Sequence, residues 1–299
     1  MTRKIPFNDE YADLNNIRLH YVSCGEGRLV VFLHGFPEFW AAWESQLSAF
    51  GKHNHAVALD MRGFNLSSKP ADPQNYHIKI LIEDLRALVT YLGYEKMILV
   101  AHDWGGGVAW AFANRHPELI EKLIIINSPH PAIFARELIH NPNQQKASSY
   151  MNFFRSAEAE ELLSKNNFAF LFNALTTGSS KWRIDDETRR RYIEAWSQPG
   201  ALTGGLNYYR VSPLYPAQSE EQKALLQRIM QAPREMFAVT VPTLVIWGEL
   251  DEQLLAGNIE GLGDYVEHLT IRRVADASHW IIHEQPELIN FYIDDFINK

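Results

Sequence analysis

The chain has 299 residues, 46% of them apolar and 21% charged, and a formal net charge of −8. Those values exclude a disordered chain, a collagen-like repeat and a coiled coil. An acidic chain without a Lys/Arg-rich run also lacks the basic face that nucleic-acid binding needs. Cys24 is the single cysteine, which leaves no internal disulfide and no thiolate zinc site. Residues 1–11 are polar, without an apolar segment of signal-peptide type. No stretch approaches the roughly 18 consecutive apolar residues of a membrane span. The expectation is a cytoplasmic protein with no membrane or nucleic-acid partner.

Short apolar runs then alternate with longer amphipathic stretches. Residues 18–23 and 29–33 read as strands, the second ending at His34-Gly35, and residues 56–59 as a third, ending at Asp60. Ile78, Leu81, Ile82, Leu85, Leu88, Val89 and Leu92 recur at three- and four-residue steps and predict a helix over 78–92. Residues 97–101 are a strand, 106–115 a helix stopped near Pro117, and 123–127 a strand. This alternation implies βαβ crossovers and a parallel sheet covered on both faces. From about Pro129 to Pro233 the chain is rich in aromatics and helix formers, with no strand run. Residues 241–247 and 269–274 resume the strand pattern, and 286–297 predict a closing helix. The economical reading is one α/β core, residues 1–128 and 234–299, interrupted by a helical insertion over 129–233.

The segment Met97-Ile98-Leu99-Val100-Ala101-His102-Asp103-Trp104-Gly105-Gly106-Gly107 carries the most chemistry. A strand runs straight into a helix, with small residues around one polar residue. That is the layout of a nucleophile elbow, where a sharp turn lifts the central side chain above the sheet. Ala101 stands where Gly is usual, and Asp103 where Ser is usual. A carboxylate, with a reference pKa of about 3.9, is already ionised at neutral pH and needs no base. It is a weak nucleophile, suited to a strained carbon or one with a good leaving group. Attack at saturated carbon leaves an alkyl ester, whose cleavage needs an activated water and an oxyanion hole. Two plain alternatives are a strand-end Asp capping the next helix and a phosphate loop. The second lacks the Gly-x-Gly-x-x-Gly spacing, and Asp103 would repel a phosphate.

In hydrolases of this layout the acid and then the histidine follow the nucleophile along the chain. Asp251 follows the strand 241–247, and His279 follows the strand 269–274. His279 would activate water and Asp251 would hold its tautomer and orientation, with Glu249 as the rival acid. His34-Gly35-Phe36-Pro37 follows the strand 29–33. Backbone N–H groups at Phe36 and Trp104 would form the oxyanion hole. Gly35 and Pro37 would make the tight turn, which a cis bond before Pro37 suits. An ordinary Gly/Pro loop would read the same way in isolation.

His34-Gly35-Phe36-Pro37-Glu38, Asp60-Met61-Arg62-Gly63, His102-Asp103-Trp104-Gly105-Gly106 and Ser278-His279-Trp280 resemble the motifs of the α/β-hydrolase superfamily, specifically its epoxide hydrolases. The resemblance covers nearly the whole chain, although haloalkane dehalogenases share an Asp nucleophile followed by Trp. It implies a mostly parallel sheet flanked by helices, with an inserted helical cap. It also implies two cap tyrosines that protonate the departing alkoxide, a need a halide does not have. A phenol, with a pKa of about 10, holds that proton at neutral pH. Asn207-Tyr208-Tyr209-Arg210 is similar to the family's second-tyrosine motif, which makes Tyr209 one donor. Tyr150-Met151-Asn152-Phe153-Phe154 fits the first, which makes Tyr150 the other.

The resemblance implies conversion of an epoxide and water to a vicinal diol through a covalent ester on Asp103, with no metal and no organic cofactor. A haloalkane or haloacid dehalogenase using the same Asp103 is the nearest alternative, and a non-catalytic ligand-binding protein on a hydrolase scaffold is another. The arginines that follow the nucleophile in fluoroacetate dehalogenases are absent: Gly107, Val108, Ala109, Trp110 and Ala111 stand there. Phe36 replaces the Asn or equivalent halide donor of haloalkane dehalogenases. Substrate contacts are expected from His34, Pro37, Trp104, Phe153 and Trp280. The aromatic-rich insertion favours a small apolar or aryl epoxide. Monomer and homodimer both stay open.

Overall fold

The computed structural model describes residues 6–14, 16–176 and 181–299. Residues 1–5, the start of the polar N-terminal stretch, lie outside the described residues. Eight strands form one sheet: β1 (Asn8–Leu14), β2 (Ile17–Cys24), β3 (Arg28–Leu33), β4 (Asn54–Leu59), β5 (Met97–His102), β6 (Ile120–Ile126), β7 (Thr243–Gly248) and β8 (Leu269–Val274). Their order is β1-β2-β4-β3-β5-β6-β7-β8. β2 is antiparallel to both its neighbours, and every pairing from β4 to β8 is parallel. Helices α1 (Glu44–Phe50), α2 (Ile78–Tyr91) and α3 (Trp104–Arg115) lie between the early strands. Between β6 and β7 the described elements are all helical: α4 (Pro131–His140), α5 (Pro142–Ala147), α6 (Tyr150–Phe154), α7 (Ala159–Thr176), α8 (Asp186–Trp196), α9 (Ala201–Val211) and α10 (Glu220–Met230), followed by a short 3₁₀ turn. Helices α11 (Ile281–Glu284) and α12 (Pro286–Ile297) close the chain.

The period of two along each strand divides the core between the sheet's two faces. Val30, Phe32, Ile98, Val100, Ile124 and Ile126 join Leu47 and Phe50 of α1 and Ile289 and Ile293 of α12 in one cluster. The alternate residues Val31, Leu33, Leu99, Ala101, Leu123 and Ile125 join Leu81, Leu85 and Leu88 of α2 and Val108 and Phe112 of α3 in the other. Each such Val, Leu, Ile or Phe contributes about 1.5–3 kcal/mol of transfer free energy, so both faces are strongly held. The helix predicted from residue 106 begins two residues earlier, at Trp104. Gly105 makes this possible, because a Cβ there would lie 2.4 Å from the Leu33 carbonyl oxygen.

The chain passes from β3 to β4 on one side and returns to β5 on the other. This is a topological switch point, where the carboxyl ends of adjacent strands leave a crevice. The helical segment roofs it through specific ties. Trp196 Nε1 donates to the Pro37 carbonyl at 2.5 Å, and the Tyr208 hydroxyl donates to the Arg62 carbonyl at 2.9 Å. Within α7 the backbone breaks, and Asn166, Asn167 and Phe168 take φ values of 51°, 56° and 62°. No helix among the described residues is long and apolar enough to cross a membrane.

Candidate active site

Asp103 joins β5 to α3 with φ 51° and ψ −121°, a conformation that costs a non-glycine residue strain. Two contacts hold this backbone: its carbonyl accepts from Ser128 Oγ at 2.6 Å and from the Gly107 amide at 3.1 Å. The carboxylate does not cap α3, which removes the capping alternative. Instead Oδ1 accepts the Phe36 backbone N–H at 2.9 Å. The Phe36–Pro37 bond is cis.

His279 approaches Asp103 from the loop after β8. Its Nε2 lies 3.7 Å from Asp103 Oδ2, and its Nδ1 is 2.7 Å from Asp251 Oδ2. Asp251 is itself fully engaged. Its Oδ1 accepts the Gln253 and Leu254 amides at 2.9 and 2.8 Å, and its Oδ2 accepts Asn127 Nδ2 at 2.8 Å. The rival acid Glu249 turns outward to Arg273, 3.1 Å away. Burial alone would lower the His279 pKa, but the charges of Asp251, Asp103 and Glu38 outweigh it and raise it to about 9.

Behind this pair lies a second buried group. His102 Nε2 donates to the His279 carbonyl at 2.9 Å, and the two imidazoles are 4.7 Å apart. His102 Nδ1 is 3.6 Å from Glu38 Oε2. Glu38 Oε1 accepts from the Tyr192 hydroxyl at 2.9 Å and from His283 Nε2 at 2.5 Å. Burial opposes ionisation of Glu38, yet His283 and His102 hold its carboxyl far below the usual range.

A cavity of about 400 Å³ opens above Asp103. Phe36, Pro37, Tyr150, Phe154, Tyr209, His279 and Trp280 line its inner part. The Tyr150 and Tyr209 rings are 6.2 Å apart. Both phenols are pushed well above their usual pKa, first by burial; the Asp103 charge adds to this for each, and Asp251 and Tyr150 reinforce it for Tyr150 and Tyr209 respectively. A smaller cavity of about 70 Å³ also borders Asp103 and Tyr150, and is lined by Trp104, Phe134, Met151 and Leu254 among others. Among the described residues no group of His, Cys, Asp and Glu is arranged to hold a metal ion.

Two expected substrate contacts sit elsewhere. His34 is fully buried: its Nδ1 donates to the Gly35 carbonyl and its Nε2 accepts the Met61 amide, at 2.8 and 3.1 Å. Phe153 packs beside Phe154 and Phe170, at 5.7 Å from each, and it is Phe154 that lines the cavity. Trp104 lines the smaller cavity, with its ring 5.0 Å from and nearly perpendicular to that of Tyr209. Sequence reasoning missed Asn127, Ser128, Glu38 and His102 as supports. The signals were that Glu38 and His102 stand inside the motifs quoted above, and that Asn127 and Ser128 follow a strand beside the nucleophile strand.

A model of the alpha/beta hydrolase fold matches residues 28–286 of the chain. Epoxide hydrolase 4 of Homo sapiens is 37% identical, over 95% of this chain and 77% of its own length. The crystal structure of an epoxide hydrolase from Bacillus megaterium with an inhibitor is 39% identical and superposes with a TM-score of 0.90, covering 97% of this chain and 100% of that one. A variant of the Bacillus megaterium enzyme, bound to its naphthyloxy-propanediol product, matches with the same TM-score of 0.90, identity of 39% and coverage of 97% and 100%. The chain belongs to the alpha/beta hydrolase fold family and, within it, to the epoxide hydrolases.

Proposed function

We propose that the protein opens a small apolar or aryl epoxide to a vicinal diol in two steps, with Asp103 as nucleophile. One observation carries this reading: Asp103, Tyr150 and Tyr209 face one cavity, so a nucleophile and two phenol donors meet a single substrate. In this reading residues 129–233 form the cap that brings the tyrosines over the core. A dehalogenase would have no use for the phenols. The aromatic inner lining supports an apolar or aryl substrate.

In the first step Asp103 Oδ2 attacks an epoxide carbon, the C–O bond breaks, and the freed oxygen takes a proton from Tyr150 or Tyr209. In the second step His279 Nε2 takes a proton from water, whose oxygen adds to the Asp103 carboxyl carbon. The Phe36 amide, and the Trp104 amide as the second donor, hold the oxyanion. Collapse expels the diol oxygen, which takes the proton from His279. The Asp103 acid then returns its proton to the tyrosinate.

One electrostatic change serves both steps. Asp103's charge contributes to the raised pKa of Tyr150, Tyr209 and His279 alike. Ester formation removes that charge. The phenols become better acids as their proton is needed, and His279 moves toward the neutral base that hydrolysis needs. Intact-protein mass after incubating His279→Gln with epoxides and haloalkanes tests the reading. The expected gain is a whole epoxide on Asp103. A gain of an alkyl group with free halide would identify a dehalogenase.

A further inference from the structure

The charges around the large cavity are one-sided. Apart from Asp103 and His279 at the floor, its charged lining residue is Glu252. Glu252, Asn173 and Phe170 are solvent-exposed and so mark the mouth. No Lys or Arg is among the described lining residues, and among the described residues Glu252 has no ion-pair partner. Deeper down, Asp251 lies buried behind His279, so the floor sets two carboxylates against one imidazole. The aromatic lining continues from Phe154 and Trp280 inside to Phe170 at the mouth. Aromatic faces attract a cation and give nothing to an anion.

A substrate held at Asp103 by its epoxide carbon extends its far end along this cavity toward Glu252. Near the surface a carboxylate acts through an effective dielectric between those of protein and water, so its field on that far end is modest and sensitive to salt. We propose that the cavity ranks epoxides by the charge at their distal end, a fixed cation above a neutral group and a carboxylate below both, and that Glu252 sets this ranking. The inference rests on the epoxide reading and adds the charge class of the substrate.

The probes are three phenyl glycidyl ethers carrying, in the para position, a trimethylammoniomethyl, a hydroxymethyl or a carboxylate group. The quaternary ammonium is chosen because it cannot itself attack an epoxide. kcat/KM is measured for each at low and high salt in the wild type, Glu252→Gln and Glu252→Lys. Glu221→Gln, exposed on α10 and outside both cavity linings, makes the same change in net charge elsewhere. The expected cation-to-carboxylate ratio in the wild type is about tenfold at low salt and shrinks with added salt. Glu252→Gln should flatten it, Glu252→Lys should invert it, and Glu221→Gln should leave it as in the wild type. A wild-type ratio near one, or a ratio that survives Glu252→Lys, overturns the proposal. Failure of all three ethers to turn over would instead bring down the epoxide reading, and the ranking with it.

Discussion

The Phe36 amide donates to Asp103 Oδ1 at 2.9 Å, while Asp103 Oδ2 faces His279 Nε2 at 3.7 Å. The two carboxylate oxygens are therefore already distinguished. In the proposed mechanism Oδ1 takes the place of the oxyanion, and Oδ2 is left to attack. Gly35 permits this arrangement, since a Cβ there would lie 2.2 Å from Asp103 Oδ1. Gly35→Ala must displace either the carboxylate or the amide. Losing one preorganised donor costs about 10²–10³ in kcat. We expect that loss in steady-state turnover with an unchanged far-ultraviolet dichroism spectrum. A variant that keeps more than about a tenth of wild-type kcat would remove Phe36 from the oxyanion hole.

The tyrosine pair predicts an asymmetry between half-reactions. Tyr209→Phe and Tyr150→Phe each delete a donor while keeping the aromatic packing. Ring opening should fall by about 10²–10⁴ in single-turnover rates, the range for loss of a general acid. The double variant should fall further. Hydrolysis of an ester already formed should change far less. Equal slowing of both steps in either single variant would show that the phenol acts on packing, not on the leaving oxygen.

His279 supplies the pH dependence. In the free enzyme its pKa is raised to about 9, with Asp251 and Asp103 as the leading charges that overcome burial. A base raised by neighbouring anions loses part of that shift when one anion is neutralised, and esterification neutralises Asp103. The deacylation rate must therefore rise with pH through a value below about 9. Rapid quench from pH 5 to 10, with the ester read by mass, gives that curve. Asp251→Asn should shift it lower still, because the first of the charges raising His279 is gone. A rise centred at or above 9 would contradict the scheme.

What the sequence showed and what it hid divide along physical lines. The inner strands were legible because burial on both faces writes them as unbroken apolar runs, as in Leu29–Leu33 within β3 or Met97–Ala101 within β5. β1 was not, since its Asn-Asp-Glu-Tyr-Ala-Asp-Leu run lies at a sheet edge and is half exposed. The cluster of Asp103, Asp251 and His279 was legible because each follows a strand, in the expected chain order. Ser128, Asn127 and His102 were not, since they act on residues 25, 124 and 177 positions away. The sequence does not choose between Phe153 and Phe154, because adjacent residues on a helix point about 100° apart and only the packing of α6 decides that Phe154 faces the cavity. The loop of His34 borders the site, and only the fold shows that its ring turns back to the Met61 amide.

Asn127 offers a test of that hidden support. Its side chain bridges Asp251 Oδ2 and the Gly248 amide, both at 2.8 Å, from a backbone φ of 39°. Asn127→Gly removes the bridge while suiting that backbone. Each unsatisfied buried group costs about 1–3 kcal/mol, so the thermal midpoint should fall. Asp251 would lose one of four donors, and deacylation should slow more than ring opening, so that the ester accumulates in the steady state. A lower midpoint with unchanged partition of the ester would make Asn127 scaffold only.

The seat of α9 is the last place where packing and chemistry meet. Gly204 on α9 lies so close to the loop after β4 that a Cβ on it would stand 2.3 Å from the Gly63 carbonyl oxygen. That loop cannot give way freely, because Gly63 has φ +91° and its amide is tied to the Ser68 carbonyl at 2.9 Å. Gly204→Ala must then lift α9, which carries Tyr209 five residues further on. Overpacking of this kind costs about 1–3 kcal/mol, which calorimetry reads as a lower midpoint. The displaced phenol should slow ring opening selectively, while His279 and Asp251, held by other elements, continue to clear ester at the wild-type rate. Wild-type ring opening in Gly204→Ala would mean that Tyr209 is positioned independently of this contact.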